Sequence, residues 1–98
     1  MIKLPQTAET VVKAVEEVTG LDRAAFTSSD RRTECVRARA MLCHALSQIG
    51  YSRSFIARMV GRSHSSVLRI IKQHHAYMDE SIFRRDMSLV KSKVETRI

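Results

Sequence analysis

The apolar residues of this chain fall repeatedly at helical spacing and nowhere alternate in the period-two manner of a strand. Val11, Val12, Val15 and Val18 line one side of a segment that follows Pro5 and stops at Gly20. With Thr7 placed to cap it, the pattern predicts a first helix over about residues 8–19. Asp22 can cap a short second helix from Arg23 to Phe26, with Leu21 and Phe26 as its core anchors. The polar run TSSDRR, residues 27–32, then breaks the periodicity and reads as a loop.

A longer stripe follows, made of Cys35, Ala38, Leu42, Ala45, Leu46 and Ile49. It predicts a central amphipathic helix over 33–49, ended by Gly50, with Arg37 and Arg39 projecting from its first two turns. Ser52 can cap the next helix, whose Phe55, Ile56 and Met59 face the core and whose end is marked by Gly61. Ser63 can cap another, with Val67, Leu68 and Ile71 turned inward. Two short helices joined by a tight glycine turn make a helix-turn-helix, here at about residues 52–75. Phe83, Met87, Val90 and Val94 predict a last helix over about 79–94. The expected architecture is one all-α, compact multi-helix domain over residues 1–98.

Charge turns this fold reading into a functional one. The 98 residues carry 17 Lys and Arg against 10 Asp and Glu, a formal net charge of +7. The excess is local, because residues 1–30 sum to −2, residues 31–76 to +8 and residues 77–98 to +1. Arg31, Arg32, Arg37, Arg39, Arg53, Arg58, Arg62, Arg69 and Lys72 supply the middle block. Guanidinium forks suit phosphates and base edges, so the block points to nucleic acid, with a merely solvated basic surface as the alternative.

Other chemistries find less support. A single domain of this length is too small for a deep two-domain cleft, and His64 has no carboxylate or nucleophile at a diagnostic spacing, so no enzyme is expected. Cys35 and Cys43 stand eight residues apart on one predicted helix. That places them about 12 Å apart, too far for a disulfide or a shared metal ion. His44 points about 100° away from Cys43 around the helix, and His74 and His75 have no spaced cysteines. No metal and no cofactor are therefore expected, and both thiols are expected in the core. No apolar run approaches the roughly 18 residues of a bilayer span, and MIKLPQTAET lacks the apolar centre of a signal peptide. A cytoplasmic protein without membrane contact is the expectation. Phe26, Tyr51, Phe55, Tyr77 and Phe83 are too scattered to form the stacking platform of a single-strand reader. The last helix leaves two readings open: its stripe packs on the first helix, or it serves a homodimer or protein partner.

The stretch GRSHSSVLRIIK, residues 61–72, carries the most chemistry. With its aliphatic residues turned inward, the helix presents His64 and Ser65 at its front and Ser66 and Arg69 along its flank. Such short donors and acceptors let a recognition helix bring its N-terminus close to base edges in the major groove. A helix N-terminus also favours phosphate. Arg62, Arg69 and Lys72 on the same element weigh against a purely structural cap.

The run from Arg37 to Lys72, RARAMLCHALSQIGYSRSFIARMVGRSHSSVLRIIK, resembles the C-terminal DNA-binding domain of the bacterial replication initiator DnaA. That family's signature is Gly-Arg-Asp-His, then two small hydroxyl residues and Val-Leu, and GRSHSSVL departs from it only at Ser63. The similarity extends more loosely from about Ala8 to about Val94. It implies the family's domain IV, or Trp-repressor-like, helix-turn-helix fold and binding to an A·T-rich box on double-stranded DNA at or near the nucleoid. It also implies residue roles: Arg31 in the minor groove, Arg39, with Arg37 close by, on the backbone and nearby bases, His64, Ser65 and Ser66 on bases in the major groove, and Ser52 near phosphate.

Three departures modify that picture. Ser63 stands where the signature has an aspartate, which exchanges a charged acceptor for a weaker neutral one. The turn before the signature lacks a second glycine, and the chain between Ile49 and Ser52 is one residue shorter than the family pattern. The ATPase module is absent, since no phosphate-cradling Gly-Lys-Ser/Thr motif occurs, so binding rather than origin melting is expected. Met1 and the turn suit a free-standing protein as well as a fragment of a longer initiator. A transcriptional regulator of a mobile element and a nonspecific basic interaction module remain alternatives.

Overall fold

A computed structural model describes residues 5–27 and 32–97. These residues form helices α1 (Pro5–Thr19), α2 (Arg23–Thr27), α3 (Thr33–Ile49), α4 (Arg53–Val60), α5 (His64–Lys72), α6 (His74–Met78) and α7 (Ser81–Arg97). The all-α expectation holds, and α3 matches its predicted span. Helix α1 starts earlier than expected, with Pro5 in the first helical position where its missing N–H costs nothing. Thr7 therefore lies inside the helix rather than capping it. Asp22 does cap α2, accepting from the Ala25 N–H at 3.1 Å.

Helix α3 runs through the middle of the fold, with α1 and α7 paired on each other and both against it, and α2, α4 and α5 also packed on it. Every residue from Ala38 to Leu46 is buried. The predicted stripe covers only part of this, because Ala40, Met41, Cys43 and His44 are enclosed as well. Small side chains at Ala38, Ala40 and Ala45 let the flanking helices come close. Both cysteines are free and buried, as their positions on the apolar helix led one to expect.

The last helix resolves the choice left open by its sequence. Phe83 and Val90 are fully buried, and Met87 and Val94 nearly so. Burying one such side chain contributes about 1.5–3 kcal/mol, so a partner surface made from this stripe would forfeit much of the core. Lys93 also approaches Glu17 of α1 at 3.9 Å. The apolar stripe of α7 is thus core, and among the described residues only Ile82 and Leu89 remain as exposed large hydrophobics.

Helix α6 has no counterpart in the predicted elements, which pass from the helix-turn-helix directly to the last helix. It follows Gln73, whose carbonyl accepts from the Tyr77 N–H at 3.1 Å. Tyr77 stacks on Phe83, with ring centroids 5.1 Å apart, and meets the edge of His44 at 6.1 Å. These rings fasten α6 to α3 and α7. A five-residue helix has too few positions to show a period, and α6, unlike α2 with Asp22, follows no Ser, Thr, Asp or Asn that would mark its start.

Turns around the helix-turn-helix are set by backbone chemistry. Gly50 takes φ 112° at the end of α3, and the Tyr51 N–H returns to the Leu46 carbonyl at 3.1 Å. Gly61 takes φ 65° after α4, and the Arg62 N–H reaches the Ala57 carbonyl at 3.0 Å. This closure satisfies carbonyls that the helix ends leave open, and it needs a left-handed residue. Gly61→Ala should therefore lower stability by about 1–2 kcal/mol, and Gly61→Asn by less, in urea unfolding followed by circular dichroism. Equal stability of all three proteins would show that the turn does not hold the geometry described.

Candidate nucleic-acid interface

The two helices of the motif begin with serine caps. Ser52 Oγ accepts from the Phe55 N–H at 3.2 Å, and Ser63 Oγ accepts from the Ser66 N–H at 3.2 Å. Tyr51, just ahead of the first cap, stacks on Phe55 with centroids 4.6 Å apart and the ring planes at 17°. That contact fixes the angle at which the chain enters α4. Ser63 also donates to Ser66 Oγ at 3.2 Å, so its proton is committed to the start of α5. The hydroxyl of Ser66 keeps its own proton free to donate elsewhere.

Helix α5 is seated differently from the expectation. Val67 is fully buried, and Ile70 and Ile71 pack against the core, whereas Leu68 is only half-buried and lies off that cluster. Residues 67, 70 and 71 form one i, i+3, i+4 face, so Ile70 takes the inward place assigned to Leu68. The opposite face then carries Ser65, Arg69 and Lys72 at i, i+4, i+7, all exposed. His64 is exposed at the tip, and Ser66 is half-buried on the flank. The positive end of the helix dipole lies at the same tip, which makes it a favourable place for an anion.

The arginines have separate fates. Arg69 is exposed, as are Arg53 and Arg58 of α4. Arg62 is half-buried over the turn, donating to the Gly61 carbonyl at 3.3 Å. Arg39 does not project as expected: it is only 6% exposed. Its neighbours are Cys43 and Tyr77, whose titration its charge affects. Burial pushes the Cys43 thiol up to about 12, against the opposing pull of Arg39 and Arg62, so this sulfur stays protonated and unreactive. Arg37 is turned toward α7 and paired with Glu80, Nη2 to Oε2 at 2.9 Å. That hydrogen bond, with the Glu80, Asp86 and Glu34 charges behind it, raises the guanidinium further above its ordinary value.

Arg31, expected in the minor groove, lies outside the described residues. Lys72 was legible in the sequence as part of the basic block, but its place on the outward stripe with Ser65 and Arg69 becomes visible only once Ile70 is known to face inward. Arg53 and Arg58 carry no motif, and their charge was the only signal available. No described helix is long and apolar enough to cross a membrane.

The arrangement is a capped helix-turn-helix whose second helix exposes a polar and basic face beside a positively charged block. No curated protein and no solved structure matches the chain. A family model described as the bacterial dnaA protein helix-turn-helix does match, over residues 8–73. That range contains the basic block up to Lys72 and both helices of the motif, and leaves α7 outside it. With well over half of its 98 residues matched and its helix-turn-helix in place, the chain belongs to the bacterial DnaA helix-turn-helix family.

Proposed function

We propose that this protein reads a specific, A·T-rich site on double-stranded DNA, with α5 in the major groove and Arg31 in the adjacent minor groove, in replication initiation or its regulation. Membership of the family makes it a DNA-binding module of the replication initiator type rather than a catalytic one. The finer reading rests on one observation above all: the exposed, serine-capped tip of α5, where His64 and Ser65 stand clear of the core. Short side chains there permit the close approach that base readout requires.

Roles follow from exposure and chemistry. His64, Ser65 and Ser66 contact base edges. Arg62, Arg69 and Lys72 contact phosphates and fix the register of α5, and Ser52 lies near the backbone at the start of α4. Ser63 acts mainly through the cap it forms. A cytoplasmic, nucleoid-bound location suits this role.

The test is selection from random duplexes at near-physiological salt, followed by anisotropy titration of the enriched site against a scrambled one. Low salt is unsuitable, because a segment of charge +8 binds any duplex there. Recovery of a short A·T-rich box is expected, and no enrichment would refute specific readout. His64→Ala and Ser65→Ala should each weaken the preferred site by about 1–3 kcal/mol while leaving scrambled DNA nearly unaffected. Uniform losses would demote both to backbone contacts. Arg31→Ala should lose more affinity for A·T-rich than for G·C-rich duplexes, since a narrow minor groove concentrates negative potential. Ser63→Asp should keep the helix cap and shift preference toward sites with a cytosine amino group at the facing position; an unchanged selected site would place residue 63 away from the bases.

A further inference from the structure

Arg37 lies in the basic block, yet its guanidinium is engaged by Glu80 in the connection between α6 and α7. The pair is partly open to solvent, with the Arg37 and Glu80 side chains 30% and 44% exposed. An exposed pair of this kind is weak and readily exchanged. The Arg37 Nε is buried and makes no hydrogen bond in this arrangement. An unmet buried donor weakens the paired conformation further and favours one in which the side chain swings outward.

The Tyr77 phenol is pushed up by burial and then by the Glu80 carboxylate, while Arg69 and Arg39 oppose that rise. Glu80 and Arg69, which lies on the outward face of α5, thus act on the same ring. Glu34 and Asp86 are the other acids whose charge reaches Arg37. Asp86 is already engaged by Arg85 at 3.2 Å, and Glu34 sits in the first turn of the same helix as Arg37. Glu80 alone makes a hydrogen bond to it among these acids.

We propose that Glu80 occupies Arg37 in place of a DNA phosphate and so limits the affinity of this protein for duplex DNA. The inference rests on the DNA-binding reading above and adds a residue outside the family match, which ends at residue 73. A carboxylate on the guanidinium fork reproduces the geometry of a phosphate contact, so the two acceptors exclude each other. The wild-type chain therefore binds with one phosphate contact fewer than its arginines could supply. Releasing Arg37 adds that contact and the counterion release that accompanies it.

The experiment measures binding of a mixed-sequence duplex by anisotropy, between about 50 and 200 mM salt. The proteins are wild type, Glu80→Gln, Glu80→Ala, Arg37→Gln and the Arg37→Gln/Glu80→Gln double variant. The backbone bonds of Glu80, N–H to the Tyr77 carbonyl at 3.0 Å and carbonyl to the Arg84 N–H at 2.9 Å, survive either substitution. Thermal unfolding by circular dichroism verifies that each protein is folded. Both Glu80 variants should bind about two- to fivefold tighter, the range an exposed ion pair is worth. Their slope of log K against log salt should steepen by about 0.9. In the Arg37→Gln background the Glu80 substitution should change neither quantity.

A gain that persists without Arg37 would mean that Glu80 merely repels DNA at a distance, and would overturn the proposal. Unchanged affinity in both Glu80 variants would overturn it as well, leaving the pair as a tie between α3 and the connection from α6 to α7. Failure of all five proteins to bind at low salt would instead sink the DNA-binding reading itself, a result distinguishable because wild type shares it.

Discussion

Enclosure of α3 is the constraint on which the remaining structure depends. A helix surrounded on all sides must present small or well-matched side chains to each neighbour, because protein interiors are packed near crystal density. Ala38, Ala40 and Ala45 provide close approach, while Met41, Leu42 and Leu46 fill the space between helices. The pair α1 and α7 packs here, and so do α4 and α5 of the helix-turn-helix. Val67, Ile70 and Ile71 hold α5 against this assembly by a single face. The opposite face is left open because no element remains to cover it among the described residues. A recognition surface is, in this sense, what the packing leaves over.

The same enclosure separates charge from function. Nine basic residues in 31–76 produce a strong field, and the field alone favours an anionic partner. Yet the arginines do not contribute equally. Arg39 is drawn into the interior, Arg37 is held by Glu80, and Arg62 bends back over its own turn. Arg69 and Lys72 stay exposed on the outward stripe. A net charge therefore bounds the number of phosphate contacts from above, and the packing decides how many are made.

Ser63 illustrates how one position serves two ends. Serine and aspartate are nearly equal as helix caps, so exchanging one for the other leaves the start of α5 intact. As acceptors facing a base they differ by a full charge. The family signature and this chain can therefore share a turn and a helix while differing in the charge at the start of α5. The capping geometry is strict about having an oxygen there and indifferent to whether it is ionised.

Much of the architecture was legible along the chain. Glycines with positive φ after α3 and α4, serine caps before α4 and α5, and apolar stripes of period 3.6 are local features, each set by a few neighbouring residues. Exposure of His64 and Ser65 followed from the same pattern. Other features were not local. Leu68 and Ile70 are alike in hydropathy, and only the direction from which α3 and α4 approach selects Ile70 for the core. Arg39 reads as a surface charge until α3 is known to be covered on that side. Helix α6 is held because Tyr77 meets Phe83 of the next helix and His44, a residue 33 positions earlier in the chain. Sequence by itself thus determined every described helix but α6, the turn and the family they belong to, because capping, turn chemistry and periodicity act over a few residues. Which face of α5 is free, and which arginines remain to meet an anion, was decided only by tertiary structure, because burial and ion pairing depend on neighbours that the chain brings together from afar.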